Sequence, residues 1–519
     1  MMTIENLLRV YLNTSGLAPE LVEDQRKVLA DTLGPITNTK IYPASITAVN
    51  HSLLFLGNRL GKKYLGVISS ISGLVDQFEE PEREAVLEGV KLKMRIGPTT
   101  SRNAAWLRKT LPFLQPQVIG SKKSAGCGDR LGLATPGHVR AIRKAGIAPI
   151  FAQQSVREND RTGRTPQEVV DDAMWGAFQE GWRLGFGADA DHLKTIAQAD
   201  AFVAAGYTFY TIDPGEYVDN DAEKASSHDL EQKLAALPWG EMESTPSDLE
   251  QTLAERPVDL EKFGVRFSRE EVMRAAAKYG RALSHTVLLY RYLLGAMNGR
   301  PFELEMSVDE TESPTTLAEH VYIAGELRRL GVQVASLAPR YVGVFEKGVD
   351  YIGDLALFER AFSQHVAVAR TYGPYKLSIH SGSDKFKIYP IASRLAGDLI
   401  HLKTAGTSYL EALRTIARCD PRLFKEIVGY AIGRYPFDRA TYHVSANPSQ
   451  IPDVRNLDQD DLPGLLEDFH AREVLHVTYG SVLNEKRLRA SFFETLEEHE
   501  EEYARLVEAH FDRHLSLFN

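Results

Sequence analysis

From about residue 116 the chain alternates two spacings of apolar side chains. Short apolar runs near 131–135, 148–153, 184–190, 208–213, 302–307, 333–338, 376–381 and 399–404 have the length of buried strands. Between them lie stretches such as VRAIRKAG, TPQEVVDDAMWGAFQEGWRLG, TLAEHVYIAGELRRLG and LFERAFSQHVAVARTYG, whose apolar residues recur every three or four positions, as on one face of a helix. Several of these stretches end in glycine (Gly146, Gly206, Gly331, Gly373), the residue that most readily takes the left-handed backbone of a helix C-cap. Strands alternating with helices predict parallel βαβ units, and eight strands are the number that closes a barrel. The competing doubly wound sheet would carry a glycine-rich phosphate turn after its first strand. Only GCGDRLG comes near, and its glycines follow a different spacing. The fold class expected is therefore α/β, a (β/α)8 TIM-type barrel with an N-terminal α/β region, a helical insertion and a C-terminal helical extension.

The boundaries follow from where the rhythm breaks. Residues 1–115 read as mixed α/β, with ITAVNHSLLFLG and KKYLGVISSI strand-like. Residues 116–440 form the barrel, interrupted at 214–295 by an acidic, partly helical insertion in which Ser268 and Glu271 have capping-box spacing. Residues 441–519 end in a charged helical stretch, NEKRLRASFFETLEEHEEEYARLVEAHFDRHL. The opening MMTIENLLRVYLNTSG reads as an amphipathic helix and not as a signal peptide.

Composition narrows the class. With 43% hydrophobic and 25% charged residues over 519 positions, and no apolar run of membrane-spanning length, the chain reads as a globular, cytoplasmic protein. Two cysteines, Cys127 and Cys419, give neither a disulfide framework nor zinc-finger spacing. A net charge of −10 argues against a nucleic-acid partner, while leaving room for a local basic pocket for a small anion.

Candidate chemistry comes from the strand ends, where barrel active sites gather. In PFELEMS the apolar residues suit the helix layer, which turns Glu303 and Glu305 to the axis. The same alternation turns Ser378 and His380 of KLSIHSG, and His401 and Lys403 of LIHLKT, inward. GFGADADHLKT ends its run with Asp189, Asp191, His192 and Lys194. Burying unpaired charges costs several kcal/mol each, roughly, so such a concentration implies pairing or a metal. Blander roles compete with these. Glu303 pairs with Lys403 for structure alone, SGSDK is a loop or an anion nest with Lys385, and DETESPTT starts a helix. HFDRH, with His510 and His514 four apart, lies on a solvated surface. Two imidazoles and a carboxylate suit Zn, Mn, Fe, Co or Ni better than Mg or Ca. HEXXH, the P-loop and G-x-S-x-G are all absent.

GDRLGLATPGH, FGADADHLKT, YTIDPG, FELEMSVDETESPTT, APRYVGVFEKGVDYIGD, SIHSGSDKFKIYP and HLKTAGTSYLEALR resemble the tagaturonate epimerase family of bacterial hexuronate catabolism, over roughly residues 120–445. The resemblance implies a metal-dependent interconversion of D-tagaturonate and D-fructuronate. It implies Asp191 and Glu305 as an acid–base pair and one divalent ion on His192 and His380. Glu346, with His401 as its rival, is the third ligand, and no nucleotide cofactor is expected. Lys194, Arg340, Lys385 and Lys403 are candidates for the substrate carboxylate. The epimeric carbon, C3, lies two bonds from the C5 ketone, so its proton is not acidified. Retro-aldol cleavage of C3–C4 and re-addition to the other face avoids that barrier. The alternatives are a metal-dependent epimerase, aldolase or isomerase acting on a neutral sugar, and a non-catalytic sugar-acid binding protein. The substrate is a small sugar acid; no membrane partner is expected, and self-association is compatible with the sequence.

Overall fold

The computed structural model describes residues 4–261 and 263–518. Eight parallel strands close into a barrel in sequence order: β1 Ser124–Gly128, β2 Ala148–Ser155, β3 Gly187–Leu193, β4 Phe209–Ile212, β5 Glu303–Ser307, β6 Ser336–Ala338, β7 Lys376–Ile379 and β8 Ile400–Thr404. Helices return the chain between them: α1 Thr135–Ala145, α2 Pro166–Gln179, α3 Ile196–Ala205, α4 Arg269–Ala296, α5 Leu317–Arg329, α6 Leu355–Tyr372 and α7 Tyr389–Ala396, with α8 Thr407–Cys419 following β8. Thr165, Thr195, Ser268 and Thr316 each close a capping box that starts α2, α3, α4 and α5. Gly146, Gly206 and Gly331 have positive φ, as expected, whereas Gly373 does not, with φ −103°.

Seven strands fall where the apolar runs lie; the first does not. Residues 131–134 are a loop that leads into α1 at Thr135, because the Asp129 carboxylate accepts the backbone N–H of Leu131, Gly132 and Ala134, at 2.8 to 3.0 Å. The strand is SAGCG, Ser124–Gly128, whose small residues hide it from a hydrophobicity reading. They are small because neighbours press in. A Cβ on Gly128 would lie 2.3 Å from the Thr404 carbonyl oxygen, and one on Gly126 2.9 Å from Gln153 Oε1.

Before the barrel, six strands between Lys40 and Pro98 form an antiparallel sheet, in which Lys40–Ile41 and Thr47–Val49 both pair with Ser52–Arg59, and Val90–Pro98 lies between Lys62–Ser69 and Glu82–Leu87. One of its faces makes a separate apolar core with the helices Ile4–Leu12 and Glu23–Thr37. The first three residues of MMTIENLL lie outside the described residues. After the barrel, the expected terminal helix is two, Lys486–Glu498 and α9 Glu500–Leu515, broken at His499. Helix α9 packs tightly on α1, where a Cβ on Gly137 would meet the Ala504 carbonyl oxygen at 2.5 Å. Among the described residues no helix is long and apolar enough to cross a membrane.

Candidate active site

The barrel axis is polar, in layers. At the N-terminal end Glu303 accepts the backbone N–H of Ile119 (2.6 Å) and Gly120 (2.7 Å), so it does not pair with Lys403 as expected. His401 sits in this lower part, with Nδ1 2.9 Å from Ser124 Oγ, and burial pushes its pKa down to about 3. It lies two residues before Lys403 on β8, on the same face but away from the strand's C-terminal end, which removes it as a rival ligand.

One layer up, the Lys403 ammonium is a hub. Its Nζ lies 2.7 Å from Asp189 Oδ2, 2.8 Å from Asp191 Oδ1 and 3.0 Å from Glu305 Oε1, and it donates to Thr211 Oγ1 at 2.5 Å. All three acids are buried. Burial opposes ionisation of Asp191, but Lys403 and then His192 outweigh it and hold the carboxyl well below the usual range. Glu305 is likewise held low, by Lys403 and His380 against burial. Asp189 goes the other way: burial pushes it up to about 7, with Lys403 pulling back and the neighbouring acids adding to the rise. Gln153 Nε2 donates to Asp191 Oδ2 (3.0 Å), in the space that the missing side chain of Gly126 leaves open.

At the C-terminal mouth the two histidines meet, with ring centroids 5.0 Å apart. A bulge in β3 puts His192 there. Tyr210 pairs with Ala190 but Ile212 pairs with Leu193, so Asp191 and His192 together oppose Thr211, and His192 takes φ +58°. Such an extra residue re-aims side chains, and left-handed backbone at a non-glycine residue gathers at functional sites. His192 Nδ1 donates to Asp191 Oδ1 (2.9 Å); His380 Nε2 donates to Glu305 Oε1 (2.6 Å). The other two nitrogens face Asp309 Oδ1, at 3.6 Å for His192 Nε2 and 3.3 Å for His380 Nδ1. Ligand atoms of Asp191, His192 and His380 also lie within 4.8 Å of one another.

This donor set fits a divalent cation. His192 Nε2 is buried without a hydrogen-bond partner among the described residues, while Asp191 fixes the opposite nitrogen, as carboxylates do for metal-binding imidazoles. Asp191 and Asp309 raise His192 well above its ordinary pKa despite burial, and Asp309 raises His380. The surroundings thus call for positive charge at this point. Two imidazoles with carboxylate oxygen suit Zn, Mn, Fe, Co or Ni.

Other expected residues lie elsewhere. Glu346 is not in this group: Ser445 Oγ donates to it (2.9 Å), and it faces Glu473, which burial and Glu346 push up to about 8. The carboxylate that faces both histidines is Asp309, two residues beyond β5, in the segment read as a helix start. Lys385 is fully buried, and its Nζ donates to the carbonyls of Glu346 (2.8 Å), Ser383 (3.1 Å) and Val349, which leaves it no reach to a substrate. Lys194 turns outward to Glu216 (3.1 Å). Arg340 remains, lining a cleft above the histidines with Asp309, Lys347, His380, Ser381 and Tyr442. His510 and His514 are not surface residues. Both are buried: His510 Nε2 donates to Asp384 (2.6 Å), whose other oxygen takes Arg472 (2.7 Å). His514 Nε2 accepts the Asp384 N–H (2.9 Å). That cluster ties α9 to the loop after β7.

A profile of the tagaturonate epimerase family matches residues 42–518. The tagaturonate/fructuronate epimerase of Thermotoga maritima is 43% identical over 424 residues, 80% of this chain and 84% of that protein. The crystal structure of fructuronate-tagaturonate epimerase UxaE from Cohnella laeviribosi with one glycerol is 34% identical, covering 95% of this chain and 99% of that one, TM-score 0.87. The native crystal structure of that enzyme is 35% identical, covers 94% and 99%, and has TM-score 0.86.

Proposed function

The chain belongs to the tagaturonate epimerase family, and on that premise we propose that it is an isomerase interconverting D-tagaturonate and D-fructuronate by cleaving and remaking the C3–C4 bond. The observation that carries this reading is the meeting of two imidazoles and Asp309 at the mouth of one barrel, directly above three carboxyl groups gathered on Lys403. His192, His380 and Asp309 would hold one divalent ion, with Asp191 within reach of it. The ion supplies Lewis-acid stabilisation of negative charge on ketose oxygens.

The remaining steps belong to the chain's own side chains. Asp191 and Glu305 are the proton carriers, kept ionised by Lys403. Glu305 Oε2 is buried without a hydrogen-bond partner among the described residues, which supports a proton-accepting role. In one direction a carboxylate takes the proton of the C3 hydroxyl, C3–C4 breaks, and the electron pair passes to the ketone fragment as an enediolate. The aldehyde fragment turns and is attacked on its other face, and the new C3 oxygen takes a proton from the opposing carboxyl group. Two carriers are required because the C3 oxygen points opposite ways in the two epimers. Incubating the metal-loaded protein with D-tagaturonate and observing D-fructuronate by NMR tests the activity. No conversion with any of the five cations would reject it.

A further inference from the structure

Retro-aldol cleavage leaves a three-carbon aldehyde, C1 to C3 of the hexonate, with no covalent tie to the rest of the substrate. Something must hold it while its carbonyl turns. Resting on the proposed function, we infer that Lys347 anchors the C1 carboxylate and so retains this fragment during inversion.

Most cations near the mouth are already engaged. Lys403 is committed to three acids, Lys385 to three carbonyls and Lys194 to Glu216. Arg340 and Lys347 line the cleft, and neither has a carboxylate within 4.0 Å among the described residues. The acids of the cleft are used by others, Asp309 by Ser307 (2.5 Å) and the histidines, Glu310 by Arg157 (3.1 Å). Arg340 spends part of its guanidinium on the Thr311 carbonyl. Among the described residues the Lys347 ammonium makes one hydrogen bond, to Ser381 Oγ at 2.6 Å, and has two further N–H groups to give. Ser381 follows His380 in the chain, so that bond holds the ammonium on the same cleft wall as the imidazole. Its side chain is half-buried, next to Phe345, where water screens a charge-assisted bond less than on an open surface.

The placement suits the chemistry. The ketone end of the substrate belongs at the histidines, and the carboxylate end then lies along the cleft toward Lys347. With C1 held, rotation about C2–C3 presents the opposite face of the aldehyde. Re-addition reverses the electron and proton movements of cleavage, so no oxidant, reductant or co-reactant is needed.

The test uses full-length, metal-loaded protein with Lys347→Met and the charge-conserving Lys347→Arg. Three readouts are taken. KM for D-tagaturonate should rise about tenfold or more in Lys347→Met, as for loss of one charge-assisted bond. Three-carbon aldehyde trapped by phenylhydrazine, per epimerisation event, should rise about tenfold. Calorimetric binding of D-gluconate should weaken about tenfold while that of neutral D-glucitol is unchanged. Lys347→Arg should restore all three in large part. Unchanged KM and unchanged gluconate binding would overturn the anchor, and a raised KM without extra aldehyde would overturn retention. Should Lys347→Met fail to fold, Lys347→Gln replaces it under the same criteria. A wild-type protein inactive on D-tagaturonate would reject the proposed function itself, before any variant is compared.

Discussion

Lys403→Met removes the ammonium around which the axial acids are arranged. The lysine is buried, with three carboxylates at 2.7, 2.8 and 3.0 Å. At an effective dielectric of about 20, each contact contributes roughly 6 kcal/mol of attraction, most of it offset by desolvating the ions. The measurable quantity is the cost of leaving the acids unpaired, about 3–5 kcal/mol for a broken buried pair. Methionine fills similar volume, so packing contributes little to the difference. The pH dependence has a definite sign. Asp191 and Glu305 are held well below their ordinary pKa against burial by Lys403, so in the wild type they stabilise the fold at neutral pH and lose that contribution only as pH falls through acid values. Without the lysine, only the neighbouring histidines oppose burial, so both carboxyls move upward and take up protons on folding within a milder range. The penalty should therefore be largest at pH 8 and shrink at pH 5.5. Urea denaturation of both proteins at these two pH values checks this. A penalty below about 1 kcal/mol at pH 8, or one equal at both, would refute the assignment of Lys403 as the charge that holds the axial carboxylates.

Asp191→Asn and Glu305→Gln should each keep the divalent ion yet lose about 10²–10⁴-fold in kcat, measured by NMR turnover alongside metal analysis. His192→Ala, His380→Ala and Asp309→Asn should weaken metal binding about 10-fold or more, whereas Glu346→Gln should leave it within about twofold, read by competition with a chelating dye. Gly126→Ala drives a methyl to 2.9 Å from Gln153 Oε1 and should displace that side chain from Asp191. It should lower kcat while KM and the denaturation midpoint change little. Arg472→Met leaves Asp384 short of one partner, 2.7 Å away in the wild type, and should lower stability by about 3 kcal/mol with metal content unchanged.

How much of this was legible in the sequence depends on how local each signal is. Alternation along a strand is local, so the inward facing of Glu305 and Lys403 and the closing of eight strands could be read from residue spacing. The first strand could not, because SAGCG carries almost no apolar volume and its smallness reflects neighbours as distant as Thr404. Asp309 was hidden for another reason. An aspartate just past a strand and before Thr316 looks like capping chemistry, and Thr316 is indeed the N-cap of α5. Only the bulge that brings His192 across the mouth gives Asp309 its other role. Glu346 and Lys385 stand in motif-like segments, but the chain after β6 turns both into contacts that stabilise the loops. His510 and His514 read as surface because their partner, Asp384, is 126 and 130 residues away.

The claim on which the rest depends is that C3 is inverted by breaking a carbon–carbon bond and not the C3–H bond. Conversion of D-tagaturonate in D2O by the metal-loaded protein, followed by NMR, tests it directly. The account predicts D-fructuronate with protium retained at C3. Deuterium at C3, accumulating in step with product, would contradict it.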